Sequence, residues 1–129
     1  MIIKIVIAVV AFFILCKVIF PFVEVCGCSM FPTYKDGEKL FTKRIFFKRK
    51  LNKDDVVVYI MPVDGGKKPI LKRIADVKVT DSGEVLYYCL GDNATESYDS
   101  RYYGYVPSAW MFSKPFNQRR CENSESSNV

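Results

Sequence analysis

The most informative feature of this 129-residue sequence is an absence, because it contains no histidine. Histidine is the usual general base of serine and cysteine hydrolases and a common zinc ligand. Its absence therefore excludes Ser-His and Cys-His sites, His-ligated zinc and the HExxH metalloproteases. Any acid–base group of an enzyme must here be Lys, Asp, Glu, Tyr or Cys.

The cysteines include no CxxC pair, so a zinc knuckle is not indicated, and we expect neither a metal nor another cofactor. Gly27 before Cys28 is compatible with a lipid-attachment motif, but Cys26 and the charge on Glu24 argue against one. In an oxidising compartment one or two disulfides remain open, with no pairing deducible. The cysteines after the apolar segment are Cys26, Cys28, Cys89 and Cys121.

The amino-terminal segment is the most apolar part of the chain. Residues 5–23 contain a single charge, Lys17. A membrane-spanning helix needs about 17–25 apolar residues, whereas the apolar core of a secretory signal has about 7–15. The uninterrupted run to Cys16 has the length of a signal core, and the whole segment has spanning length if Lys17 snorkels. Residues 18–25 offer no small-residue cleavage site, which favours a retained membrane anchor over residues 1–23.

The net charge of +5 comes largely from the basic run at 43–53. One interpretation of this run is a solvated hairpin face. Because Phe46 and Phe47 lie inside it and an anchor is nearby, contact with anionic lipid headgroups is another. No nucleic-acid motif accompanies the charge. We therefore expect membrane lipid, and not nucleic acid, as a partner.

Beyond the anchor the pattern is typical of strands. We predict strands at 55–60, 70–80 and 85–90, a hairpin turn at 81–84, a turn or exposed loop at 61–69 and a long polar loop at 91–110. Loops as long as the last are usually functional or disordered. The sequence thus predicts a mainly β fold: a small antiparallel, barrel-like sheet preceded by one transmembrane helix. The domain is expected over 24–118, with a disordered tail over 119–129.

Lys72 is a candidate base. Side chains alternate along a strand, so Lys72 projects with Ile70 and Ile74, while Leu71 and Arg73 project to the other side. If the isoleucine side is the core, burial lowers the pKa of Lys72 towards the range that suits a base. The alternative is an edge strand from which the lysine reaches solvent.

Ser29, in "GCSMFPT", is a candidate nucleophile. A serine at such a place often only caps or turns the backbone. Its position just after an anchor, with a half-buried lysine and a long polar loop later in the chain, supplies a nucleophile, a base and an orienting group. Without histidine, lysine is the natural base for a serine.

Four segments together resemble the type I signal peptidases, which are membrane-bound Ser–Lys proteases. "GCSMFPT" resembles their serine motif, "DDVVVY" their next strand and "ILKRI" the strand that bears their lysine. The most specific is "GDNATESYDSRYYGYVP" at 91–107, which is similar to their signature loop. The resemblance covers about residues 20–115 and follows the family's order.

The resemblance implies a role for each matching residue. Ser29 would be the nucleophile, with its backbone N–H in the oxyanion hole, and Lys72 its general base. Ser97 would hydrogen-bond the lysine amine, and Asp99 and Arg101 would form an ion pair that fixes the loop.

Two departures from the family pattern accompany these matches. Many members carry a hydroxyl two residues before the nucleophile, where this chain has Gly27, although some members of this subgroup resemble it in having glycine there. "ADVKVT" follows the lysine motif in place of a Gly-rich turn. Only 18 residues separate Lys72 from Gly91. The large accessory β-domain of some members does not fit between them, so the chain looks like a minimal catalytic core, as in Gram-positive-type members.

The resemblance further implies the substrate and the topology. Preprotein signal peptides, with small residues one and three positions before the cut, would bind in extended form by strand addition near 24–27 and 69–72. The family's domain is extracytoplasmic, on a single-pass anchor in the cell membrane. Counted simply, the positive-inside rule opposes this, because Lys35, Lys39 and Lys43 lie beyond the anchor. We follow the family.

Three other functions fit parts of the sequence. A self-cleaving regulator of the LexA type shares the fold and dyad but would carry a DNA-binding domain. A non-catalytic paralogue would act as a chaperone or assembly factor for surface structures such as pili, and would be favoured if Ser29 or Lys72 were replaced. A structural membrane protein needs no site at all.

Overall fold

The computed structural model describes residues 1–46 and 51–120. One long helix, α1 (Ile2–Ile19), precedes an antiparallel sheet, and a short helix, α2 (Ser100–Tyr103), lies between the last strands. The strands are β1 (Phe22–Glu24), β2 (Lys39–Arg44), β3 (Val56–Val63), β4 (Gly66–Val79), β5 (Val85–Leu90), β6 (Val106–Pro107) and β7 (Met111–Pro115). The predicted fold class, mainly β after one amino-terminal helix, is confirmed.

Helix α1 is long and apolar enough to cross a bilayer. Its 18 residues span about 27 Å, and its mean hydropathy is 2.9. None of them is buried against the rest of the protein. This is the form of a membrane anchor, although the predicted limits of anchor and domain, 1–23 and 24–118, stay predictions.

The sheet has seven strands in the order β1-β2-β7-β3-β4-β5-β6, and every neighbouring pair is antiparallel. Strand β4 therefore lies between β3 and β5, away from both edges. A hydrophobic cluster lies on each side of it. Ile70 and Ile74 pack in one cluster and Leu71 in the other, as the alternation of the sequence predicts.

One predicted loop is wrong. Residues 61–69 are mostly strand, because β3 runs to Val63 and β4 begins at Gly66, with only a two-residue turn between them. Two prolines are tolerated because this hairpin extends past the rest of the sheet. Strand β7 pairs with β3 only at Val58 and Tyr59, so the free side of the hairpin needs no ladder hydrogen bonds.

The other predicted elements agree with the structure within a few residues. Strand β5 and the turn at 81–84 lie where they were expected. The segment 91–110 is not one open loop, since it contains two short 3₁₀ turns, α2 and the two-residue β6. The basic run 43–53 is only partly described, since 47–50 lie outside the described residues, as does the predicted tail from 121 onward.

Candidate active site

Ser29 lies in the loop that connects β1 to β2. The next residue, Met30, is buried in the hydrophobic cluster with Tyr34, while Cys28 before it is exposed. This buried methionine also accepts a hydrogen bond at its sulfur from the Asp92 backbone N–H, at 3.4 Å. The serine is thus held half-buried at the margin of the core, and not on a free turn.

Lys72 is buried, with 4% of its surface exposed. This burial excludes the alternative in which the lysine reaches solvent, even though Lys72 itself pairs with β3 alone among the described strands. Within residues 1–46 and 51–120, no hydrogen bond or ion pair reaches its Nζ. Burial lowers the pKa of Lys72, and the carboxylate of Asp99 partly opposes this effect.

Gly91 connects these two regions. Arg73 pairs with Leu90, so continuing the antiparallel register by one residue sets Lys72 opposite Gly91. A Cβ atom at position 91 would lie 2.6 Å from the Ser29 carbonyl oxygen and 2.1 Å from Ser97 Oγ. Only glycine allows these groups to approach so closely. The end of β5 is therefore the point where the candidate residues meet.

Asn93 fastens the serine loop to the same place. Its backbone N–H donates to the Ser29 carbonyl at 2.9 Å, and its side-chain Nδ2 donates to the Cys28 carbonyl at 3.0 Å. These two hydrogen bonds from one residue hold the peptide units on both sides of the Ser29 Cα. The position of Ser29 thus depends on the loop that follows β5.

Asp99 is a fully buried carboxylate that organises this loop. It accepts hydrogen bonds from Ser97 Oγ at 2.6 Å and from the Gly91 N–H at 2.9 Å. Arg101 forms the anticipated ion pair, with Nη2 at 2.6 Å and Nε at 2.9 Å. Burial acts to raise the pKa of Asp99, but the hydrogen bonds from Arg101, Gly91 and Ser97 outweigh it and hold this pKa far below its usual range.

Ser97 lies beside the site, but its hydroxyl makes a different hydrogen bond from the one that the resemblance implies. The resemblance implied a hydrogen bond between Ser97 and the amine of Lys72, and none is present in the described part of the chain. The hydroxyl donates to Asp99 instead. Its lone pairs remain available to accept a hydrogen bond from a lysine ammonium.

Gly27, two residues before the serine, adopts a left-handed conformation with φ +87° and is exposed. Its N–H donates to Asp36 Oδ1 at 2.8 Å, and an added Cβ would meet no described atom within 4 Å. Conformation, and not space, therefore favours glycine at this position.

Cys89 lies in β5, two residues before Gly91, and is fully buried. Burial raises the pKa of its thiol to about 12, and the charge of Asp99 adds to this effect. The thiol therefore stays protonated and is a poor nucleophile. Cys26, Cys28 and Cys89 are free, while Cys121 lies outside the described residues.

The model of one protein family, described as signal peptidase, peptidase S26, matches residues 1–78. The match covers more than half of the chain and includes both Ser29 and Lys72. The chain belongs to the signal peptidase family, peptidase S26. This is a family of proteases, in agreement with the resemblance seen in the sequence. No curated protein matches the chain.

The S26 match ends before the loop that completes the site. Sequence reasoning named three residues of that loop as supporting groups but did not single out Gly91, Asn93 or Asp92. Their signal was the triplet "GDN" itself, since glycine directly after a strand often marks a close backbone approach. The groups that Gly91 approaches, the Ser29 carbonyl and the Ser97 hydroxyl, can be identified only from the folded structure.

Proposed function

We propose that this protein is a membrane-anchored serine endopeptidase that removes signal peptides from exported preproteins, with Ser29 as nucleophile and Lys72 as general base. The observation that carries the proposal is the state of Lys72. It is buried on the side of β4 that carries Ile70 and Ile74, its pKa is lowered, and no counter-ion binds its amine within the described residues. Burying an amine without a partner is costly, so a use for it is expected.

The neutral amine of Lys72 would take the proton from Ser29 Oγ as the oxygen attacks the scissile carbonyl. The lysine would then give that proton to the leaving amine, and later activate the water that hydrolyses the acyl-enzyme. The backbone N–H of Ser29 donates no hydrogen bond in the described part of the chain, which suits it to an oxyanion. Ser97, held by Asp99, would orient the amine.

Strand addition is supported by an open edge next to the lysine. Strand β5 pairs with β4 only from Arg73 onward, so residues 69–72 have β3 on one side and no strand on the other among the described residues. An extended signal peptide paired there would lead its scissile bond towards Ser29. Small side chains one and three positions before the cut would fit the shallow sites expected beside a packed sheet.

The anchor and topology complete the proposal. Helix α1 would hold the domain at the extracytoplasmic surface of the cell membrane, where a signal helix ends. Digestion of sealed, right-side-out vesicles tests this orientation, since an external protease should remove the domain. Protection of the domain in intact vesicles would place it in the cytoplasm, as the lysines after the anchor suggest.

The central test is cleavage of a preprotein with alanine one and three positions before the cut, using the full chain in detergent. Ser29→Ala should abolish cleavage, because it removes the nucleophile. Lys72→Met should lower the rate by about 10²–10⁴-fold, because it removes the general base. Ser82→Ala and Lys78→Ala are matched controls, because both are exposed and lie at the far end of the β4–β5 hairpin, away from Ser29 and Lys72. Cleavage by Lys72→Met at the wild-type rate would overturn the dyad, and binding without cleavage by the wild type would favour a non-catalytic paralogue.

A further inference from the structure

Two prolines lie on the two long edges of the β3–β4 hairpin. Pro62 is in β3 and Pro69 in β4, and both are exposed. On the outer side of β3, strand β7 pairs only as far as Tyr59. On the outer side of β4, strand β5 pairs only from Arg73 onward. Among the described residues, each proline therefore lies on a part of its strand that has no second neighbour.

The main chain of β4 shows which way each residue of this strand faces. The Ile74 N–H donates to the Asp55 carbonyl at 2.8 Å, and the Ile74 carbonyl accepts from the Asp54 N–H at 2.7 Å. Both groups of Ile74 thus face the side of β3. Main-chain groups alternate between the two sides of a strand, and the β3–β4 register has no bulge. The main-chain groups of Leu71 and Pro69 therefore face the open edge.

This open edge offers one donor and two acceptors close to the candidate site. Leu71 presents both its N–H and its carbonyl, whereas Pro69 presents only a carbonyl, because the proline ring replaces the N–H. Leu71 directly precedes Lys72, so the complete pair of groups lies next to the proposed base. The next residue that faces this edge is Lys67, beyond the proline. A strand added here would find no donor between Leu71 and Lys67.

We infer that Pro69 is a specificity-determining residue that ends the peptide-binding edge of β4. The inference rests on the proposed function, in which an extended signal peptide pairs with this edge. Such a peptide would exchange hydrogen bonds with both main-chain groups of Leu71 and donate one to the Pro69 carbonyl. One of its own carbonyls would face the proline ring without a donor. Main-chain recognition is therefore confined to the few substrate residues that lie opposite 69–71.

A short edge suits a substrate that is helical just before the residues that are read. A signal peptide carries an apolar segment ahead of its cut, and within a bilayer a helix satisfies its own backbone hydrogen bonds. Each further residue bound as a strand would have to leave that helix and expose its main chain. Because the edge ends at Pro69, the helix can begin close to the cut.

Restoring the missing donor tests the inference. Pro69→Ala and Pro62→Ala are each made in the full chain in detergent, in a Ser29→Ala parent that binds a peptide without cutting it. The probe is a fluorescently labelled synthetic signal peptide with alanine one and three positions before the cut, and fluorescence anisotropy measures its Kd. Pro62→Ala is the matched control. Pro62 pairs with Lys67, which faces away from β3, so Pro62 faces away from β4.

Pro69→Ala should bind the peptide about 2–10-fold more tightly than the parent, as expected for one additional hydrogen bond. Pro69→Val also restores the N–H and favours a strand, so it should show the same gain. Pro62→Ala should bind like the parent. When Ser29 is restored, the gain at position 69 should appear as a lower KM and not in kcat.

Unchanged or weaker binding by both variants at position 69 would overturn the inference, and so would an equal gain in Pro62→Ala. A third contrary result is dimerisation of Pro69→Ala, seen by sedimentation, without tighter peptide binding. Pro69 would then only prevent edge-to-edge pairing with a second copy of the chain.

The experiment also separates this inference from the proposed function. If the wild type binds the peptide without cutting it and Pro69→Ala binds it more tightly, the peptidase activity alone is contradicted. If the wild type cuts the peptide and Pro69→Ala leaves KM unchanged, the inference alone is contradicted.

Discussion

Two neighbouring cations on one strand meet opposite environments. Lys72 faces the cluster that contains Ile74, and within residues 1–46 and 51–120 its amine has no hydrogen bond or ion pair. Arg73 faces the other side, where its Nε and Nη2 both reach Asp92 at 2.9 Å. Its Nη1 donates to the backbone carbonyl of Asp54, and its Nη2 also donates to that of Arg119.

The two environments explain how a small sheet can hold both a structural and a reactive charge. A bidentate, hydrogen-bonded guanidinium satisfies its carboxylate and stabilises the fold. A buried amine without a counter-ion destabilises the fold. Because burial lowers its pKa, however, the amine is neutral and able to accept a proton at a lower pH than usual. Arginine suits the structural role because it stays charged in any protein site. Lysine suits the reactive role because it readily loses its proton when buried.

The largest expected effect comes from removing the reactive charge. Lys72→Met keeps the length and burial of the side chain but removes the base, so cleavage should fall by about 10²–10⁴-fold. Stability should rise, because a buried charge no longer has to be desolvated. Cleavage kinetics and thermal unfolding in detergent measure the two effects. A loss of activity accompanied by a loss of stability would show that Lys72 is structural.

Removing the structural charge should do the reverse. Arg73→Met leaves the carboxylate of Asp92 buried, at 5% exposure, and should lower the free energy of unfolding by about 3–5 kcal/mol. Denaturant unfolding measures this loss. The double variant Arg73→Met, Asp92→Leu removes both charges and should recover much of it. If the single variant unfolds like the wild type, the pair contributes little.

A smaller effect is expected where the two regions meet. Gly91→Ala sets a methyl group against Ser97 Oγ and the Ser29 carbonyl, which should cost about 1–3 kcal/mol of stability. Displacing Ser29 by about 1 Å can lower the cleavage rate about 10²-fold. Gly83→Ala is the control, because alanine is strained at its φ of +86° but the added Cβ would contact none of the described residues. Equal activity in both variants would contradict the role given to Gly91.

Gly91 also marks the limit of what the sequence predicts. Alternation along a strand correctly placed Ile70 and Ile74 on one side and Leu71 on the other, because that pattern is local. The motif order indicated Ser29 and Lys72, and the ion pair between Asp99 and Arg101 needs residues only two apart.

What stayed hidden depends on contacts distant in the chain. The close approach of Gly91 to the Ser29 carbonyl, and the two hydrogen bonds from Asn93, follow from the packing of the loop after β5 onto the loop after β1. The prolines at 62 and 69 indicated a loop because they disfavour central strands, and the hairpin escapes that rule only by projecting beyond β7. Neither fact has a local pattern.

The finest test of the comparison is its pH dependence. Burial lowers the pKa of Lys72 below its ordinary value of 10.5, so cleavage should rise with pH as the amine deprotonates, with its midpoint below that value. Stability should change in the same window. Between the lowered pKa and 10.5 the unfolded chain binds more protons than the folded one, so the free energy of unfolding rises with pH.

Below the lowered pKa the full cost of burying the charge is present, and above the ordinary pKa it is gone. Other groups titrate in this range, notably Tyr103, whose pKa burial raises to about 12. The difference between the wild type and Lys72→Met cancels their contribution, provided that their surroundings are unchanged. That difference should shrink as pH rises through the window, and a constant difference would mean that Lys72 is not buried as a charge.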